Sequence, residues 1–232
     1  MPIAGLVFSA IIGYLLGSLP FGYIVARAHG VDIFKEGSGN PGATNVKRVL
    51  GEKFGARGKR AGNLVFALDA LKGALAAGWA LLAHTSASIT YELDDWGLPG
   101  SGHIEGQDWR LIGLAGVVAA VLGHSFSMFT KFKGGKGVAT AAGGVLVLVP
   151  VSCLIGAAVW VVTFYTTRYV SLGSILASIV VPAASWLRGN PIYLNVVVTA
   201  VGLFVIIRHR ENIKRLLAGT ESKFARKPKA QP

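Results

Sequence analysis

Long apolar runs, separated by short polar stretches that carry nearly all the charge, set the layout of this chain. Residues 3–26, 64–83, 111–129, 138–166, 172–186 and 192–207 are almost wholly apolar. About 20 such residues in a helix cross the hydrocarbon core of a bilayer with every backbone group satisfied internally, so these runs predict transmembrane α-helices. Residues 3–26 have no basic residue before them and Arg27 directly after. They predict one retained helix rather than a cleaved secretory leader.

The polar gaps alternate in sign. Residues 27–63 hold eight basic side chains against Asp32, Glu36 and Glu52, whereas residues 84–109 hold five acidic ones and neither Lys nor Arg. Basic loops stay on the cytoplasmic side, which puts the N-terminus outside and residues 27–63 inside. The run 138–166 then raises a problem of parity, because as a single crossing it would leave the basic segment after residue 207 outside. Pro150 resolves it, since proline ends or kinks the helix before it. The run becomes 138–149 and 151–166.

The result is an all-α integral membrane protein of seven transmembrane helices, N-terminus outside and C-terminus cytoplasmic. It forms a single membrane-embedded domain, residues 1–232, with a disordered basic tail at 220–232. The segment 138–149 spans only about 18 Å at 1.5 Å per residue. Such a short, broken helix crosses only if its inner end is recessed in a cavity.

Composition agrees with the membrane class: 52% of residues are hydrophobic and 15% charged, with a mean hydropathy of +0.54. That is more apolar surface than one soluble core requires. The net charge of +12 raises nucleic acid as a partner. Its placement in the gaps between apolar runs points instead to lipid headgroups or phosphorylated substrates. The lone cysteine, Cys153, cannot form an internal disulfide.

Candidate chemistry gathers in four polar stretches. The first to consider is GHSFSMFTKFKGGKGVAT, residues 123–140, where Lys131, Lys133 and Lys136 are threaded among Gly134, Gly135 and Gly137 just before a helix-compatible run. Glycines let backbone N–H groups converge, and a helix start adds unpaired donors and partial positive charge, so this stretch suits a phosphate. It is not a nucleotide P-loop: the position that needs the first glycine is Thr130, and Gly137 follows the lysine where Ser or Thr is required. No nucleotide and no motif-bound metal are expected.

The second stretch, GSGNPGATNVKR at residues 37–48, predicts a structured turn and a short helix beginning near Ala43. Its Ser38, Asn40, Thr44 and Asn45 lie beside Arg48, as a phosphorylated polyol would require. In the third, Asp69 and Lys72 share one helical face at membrane depth, suited to an ion pair or to ligand contact. The fourth, RHRENIKRLLAGTE at residues 208–221, places Arg208, His209, Asn212 and Arg215 near one another on a helix leaving the membrane. His103 and Asp108 match the H-x-x-x-x-D pattern of soluble-headed acyltransferases, but their loop is predicted to face away from the cytosol.

Taken together, GSGNPGATNVKR, DALKG, GHSFSMFTKFKGGKGVAT and RHRENIKRLLAGTE resemble, in order and spacing, the signature stretches of the PlsY family of bacterial acyl-phosphate:glycerol-3-phosphate acyltransferases. The resemblance covers nearly the whole chain. It implies a seven-helix enzyme of the inner membrane, its active site facing the cytoplasm, that moves a fatty acyl group from acyl phosphate to the 1-hydroxyl of sn-glycerol 3-phosphate. The products are lysophosphatidic acid and phosphate. No metal and no cofactor are implied; the partners are the two substrates and membrane lipids, not nucleic acid, and the protein is read as a monomer.

Ser38, Arg48, Lys136, His209 and Asn212 are the catalytic candidates under this resemblance. Gly37, Asn40, Thr44, Asn45, Lys72, His124, Lys133, Gly134, Gly135 and Gly137 are the substrate-binding candidates. His209 is an alternative general base to the donor's own phosphate, and Ser38 an alternative nucleophile. The competing class is a membrane carrier for phosphorylated metabolites, which calls for an internal repeat that the chain does not show. Relative to compact family members, the acidic loop is longer and residues 57–60 add basic charge.

Overall fold

The computed structural model describes residues 2–83 and 109–224. The acidic stretch with His103 and Asp108 lies outside the described residues. The chain divides into two compact units, Met1–Val149 and Pro150–Pro232.

The first unit contains α1 (Pro2–Ser18), α2 (Phe21–Ala28), α3 (Ala43–Ala83), α4 (Trp109–Ser125), a 3₁₀ turn (Met128–Thr130) and α5 (Val138–Leu148). The expected span over 3–26 is present as one apolar segment, Ile3–Ala28, broken within it into α1 and α2. Pro20 has no N–H to donate and its ring crowds the preceding turn, so the helix stops at Ser18 and the chain turns through Phe21 N–H to Leu19 carbonyl (3.1 Å) before α2 begins.

The helix expected near Ala43 does start there, but it runs on to a sharp break at Gly55 (φ 58°, ψ −130°) before a second leg continues to Ala83. Only glycine adopts that backbone without strain. The two legs fold back on each other: a Cβ on Gly58 would stand 1.8 Å from the Leu50 carbonyl oxygen. Beside this bend, Ala26, Ile33, Val46, Val49, Leu50 and Val65 form a buried apolar cluster. Across the unit, Ser9 Oγ donates to the Ile112 carbonyl (2.8 Å) and links α1 to α4.

The break expected at Pro150 is present. Val149 leaves helical geometry (φ −140°, ψ 68°), so α5 is an 11-residue helix and Pro150 opens the next.

The second unit contains α6 (Pro150–Thr167), α7 (Val170–Leu187), α8 (Ile192–Arg208) and α9 (Arg210–Leu217). Its tail departs from the expectation of disorder from residue 220. Glu221 is fixed by three side-chain donors, and Phe224 N–H donates to the Arg168 carbonyl (3.1 Å) while its ring stands 5.9 Å from that of Phe164. Residues 225–232 lie outside the described residues.

Among the described residues five helices are long and apolar enough to cross a membrane, six if α8 and α9, bent by 57°, count as one span. The remaining apolar helix, α5, is shorter.

Candidate active site

In the first unit, the 37–48 stretch folds as a tight turn that consumes its own amides. Asn45 Oδ1 accepts from Ser38 N–H (3.0 Å), its Nδ2 donates to the Glu36 carbonyl (3.0 Å), and Asn40 Oδ1 accepts from Gly42 N–H (2.8 Å). Asn45 is buried, so it braces the turn from beneath, whereas Gly37 (φ 56°) and Ser38 are exposed on it. Thr44 and Arg48 are half-buried at the start of α3.

On the second leg of α3, Lys72 Nζ lies 2.9 Å from Asp69 Oδ1 and also donates to the Leu19 carbonyl (2.9 Å) at the α1–α2 break. His124, at the end of α4, brings its Nδ1 to 3.5 Å from the same Asp69 oxygen. After α4, Ser127 Oγ donates to the Ser18 carbonyl and the Ser127 carbonyl accepts from Phe132 N–H (2.9 Å). These bonds hold Lys131 (φ 53°) and Phe132 (φ 60°) in the left-handed region, a conformation that costs non-glycine residues about 1–3 kcal/mol each and is kept where the surroundings enforce it.

The Gly-rich loop follows. Gly135 N–H donates to the His124 carbonyl (3.1 Å), Lys136 is half-buried, and Gly137 (φ 81°) is the N-cap of α5. The free amide donors and dipole of α5 therefore begin directly after the glycines.

A small cavity of about 20 Å³ forms at this point. Its lining includes Asp69, Lys72, His124, Ser127, Lys133 and Gly134, together with the 17–22 turn and Pro41. Ser18 also lines it, and the Ser18 hydroxyl is buried without a hydrogen-bond partner among the described residues. Two lysines, an imidazole and a spare hydroxyl thus share one small pocket with the Asp69 carboxylate.

The structure thus gathers Lys72, His124, Lys133 and Gly134 in one pocket. Ser38, Arg48, Lys136, Gly37, Asn40, Thr44, Asn45, Gly135 and Gly137 do not line it. Lys72 is largely committed to Asp69 and Leu19, so its charge is already countered.

The second unit carries the remaining candidates. His209 is 3% exposed, and its Nδ1 lies 2.8 Å from the Val205 carbonyl, which can only accept; the proton therefore sits on Nδ1. Asn212 Nδ2 donates to Glu221 Oε1 (2.7 Å). Glu221 also accepts from Ser171 Oγ (2.7 Å) and from Arg215 Nε at Oε2 (2.7 Å). Burial pushes the Glu221 carboxyl up, but the Ser171, Asn212 and Arg215 donors outweigh it and hold the group below the ordinary carboxylate range.

The Asp69–His124 contact joins positions 55 residues apart, and no local pattern announces it. Glu221 was visible as the last residue of the fourth stretch, with nothing in that stretch to mark it as the hub for Asn212 and Arg215. Among the described residues no group of three or more His, Cys, Asp or Glu side chains is placed to hold a metal ion.

Residues 7–219 match the glycerol-3-phosphate acyltransferase family. The chain belongs to this family. A glycerol-3-phosphate acyltransferase of Aquifex aeolicus is 42% identical over 217 residues, covering 94% of this chain and 98% of that protein. Two crystal structures of PlsY (YgiH), an integral membrane glycerol 3-phosphate acyltransferase, share the fold at 40% identity. The glycerol 3-phosphate form has a TM-score of 0.76 and covers 95% of this chain and 96% of that one. The lysophosphatidic acid form has a TM-score of 0.73 and covers 95% of each.

Proposed function

We propose that this protein transfers a fatty acyl group from acyl phosphate to the 1-hydroxyl of sn-glycerol 3-phosphate, releasing lysophosphatidic acid and phosphate. The family match across residues 7–219 carries the acyltransferase reading. The solved relatives bear on the direction of transfer, because lysophosphatidic acid is glycerol 3-phosphate after acylation.

The donor is inferred from the chemistry of the first unit. An acyl phosphate presents a dianionic headgroup on an apolar tail. The N-terminus of α5 after Gly137, beside Lys133 and Lys136 and shaped by Gly134 and Gly135, offers helix-start donors and positive charge to such a headgroup. Ser38 and Arg48 are assigned to glycerol 3-phosphate, with the guanidinium making a bidentate contact to its phosphate. Lys72 and His124 keep the role of shaping the first unit's pocket.

In the reaction the hydroxyl oxygen bonds to the acyl carbon and the acyl–phosphate C–O bond breaks. The leaving phosphate takes the electron pair, and its oxygen accepts the hydroxyl proton. The donor is already activated, so placement and charge neutralisation supply the rate without a covalent acyl-enzyme. In the membrane we place seven spans, counting α5 as a short recessed one, with the N-terminus outside and the site and C-terminus at the cytoplasmic face of the inner membrane. The charge distribution of the gaps supports this orientation.

The test is acceptor dependence. Purified protein is expected to release phosphate from acyl phosphate only when glycerol 3-phosphate is present. Release that ignores the acceptor contradicts the reading.

A further inference from the structure

Asp69 has no role in the scheme above, yet it is among the residues that line the pocket. Asp69 and Lys72 lie one turn apart on α3, each with a side chain 3% exposed. A buried pair of this kind is complete in itself as a brace. Here it has a third member from another helix, His124, whose Nδ1 is 3.5 Å from the Asp69 oxygen that also faces Lys72.

The Asp69 carboxylate lies on the Nδ1 side of the imidazole, which leaves Nε2 turned away from Asp69. Nε2 then faces Gly135, where a Cβ would stand 2.2 Å from it. The His124 carbonyl meanwhile takes the Gly135 N–H at 3.1 Å. Ring and backbone of one residue therefore grip the same glycine. With Nε2 set against the α-carbon of the loop, the imidazole is placed to hold the backbone and not to draw a proton from substrate.

We propose that Asp69 is a positioning residue for the acyl transfer: acting through His124, it fixes the loop of Gly134, Gly135 and Gly137 in the shape that receives the donor's phosphate. This rests on the acyltransferase reading given above. Lys72 supplies the counter-charge and, through the Leu19 carbonyl at 2.9 Å, anchors the node to the α1–α2 break. The loop that must match a dianion is thus referenced to α1, α3 and α4 at once.

The double variant Asp69→Asn/Lys72→Met removes both buried charges together and leaves none uncompensated. In purified full-length protein it is expected to keep a Tm near wild type and to raise KM for acyl phosphate about tenfold, with kcat changed less than about twofold. His124→Asn is expected to give the same rise, and combining the two adds nothing further, because they act through one contact. If the double variant does not fold, Asp69→Glu supplies the reading: it keeps a charge for Lys72 while displacing the carboxylate from Nδ1, so a raised KM supports the proposal. A wild-type KM in whichever of these variants folds, or effects that multiply fully with His124→Asn, overturns it. Wild-type protein that fails to turn over acyl phosphate at all would instead sink the acyltransferase reading.

Discussion

Gly135 packs so closely on His124 that a methyl group on its α-carbon would stand 2.2 Å from the imidazole Nε2. Gly135→Ala must therefore push the loop or the ring out of place. The expected result is a loss of turnover of about 10–100-fold, since small displacements of positioning groups weaken catalysis steeply. Part of the loss should return in a His124→Ala background, where the clash is gone. Acyl-phosphate turnover in the single and double variants checks this.

Lys136 is the half-buried lysine between Gly135 and the N-cap of α5. As a partner of the departing phosphate its loss should lower turnover by about 100-fold, on the scale of removing one preorganised donor to developing charge. Wild-type turnover by Lys136→Ala would remove the phosphate-cradle assignment.

For Glu221 the prediction concerns pH. Its carboxyl is held below the ordinary glutamate value of 4.5 by Ser171, Asn212 and Arg215. A depressed folded-state value stabilises the protein above the unfolded value, and that contribution fades as pH falls below 4.5 and through the folded-state value. Glu221→Gln should lower Tm by about 2–4 °C at neutral pH. It should also flatten the acid side of the Tm–pH curve below 4.5, a comparison made by thermal melts in detergent. An unchanged acid limb would contradict the hub role.

His209 distinguishes two proton routes. With the donor's phosphate as acceptor, His209→Ala should slow turnover and leave the shape of the pH–rate profile intact. Loss of an acidic limb near the ordinary imidazole value of about 6.5 would move the proton to His209.

Among the described residues, the apolar runs located the apolar helices, because burial in lipid demands uninterrupted apolar sequence. Charge parity singles out Pro150 as a break, and the helix does end there. Pro20 carries the same physics, but the parity argument requires no break there, so the sequence predicts one helix over 3–26 where the chain forms α1 and α2. Gly55 was one glycine among 31, and its positive φ belongs to the packed hairpin rather than to its neighbours in sequence.

At the proposed site, the lysines and glycines around α5 stand out in the sequence by their unusual local composition. The partners that hold them do not. Asp69 meets His124 only through the packing of α3 on α4, and Asn45, which looked like a ligand contact, serves the turn beneath Ser38. Side chains that position others carry no local signature.

The central claim is tested most directly by single-turnover product analysis in detergent, with acyl phosphate and isotopically labelled glycerol 3-phosphate. Acyl transfer predicts labelled lysophosphatidic acid and inorganic phosphate in equal amounts, with no metal or nucleotide added. Phosphate formed without labelled lysophosphatidic acid, or glycerol 3-phosphate recovered unchanged, would contradict it.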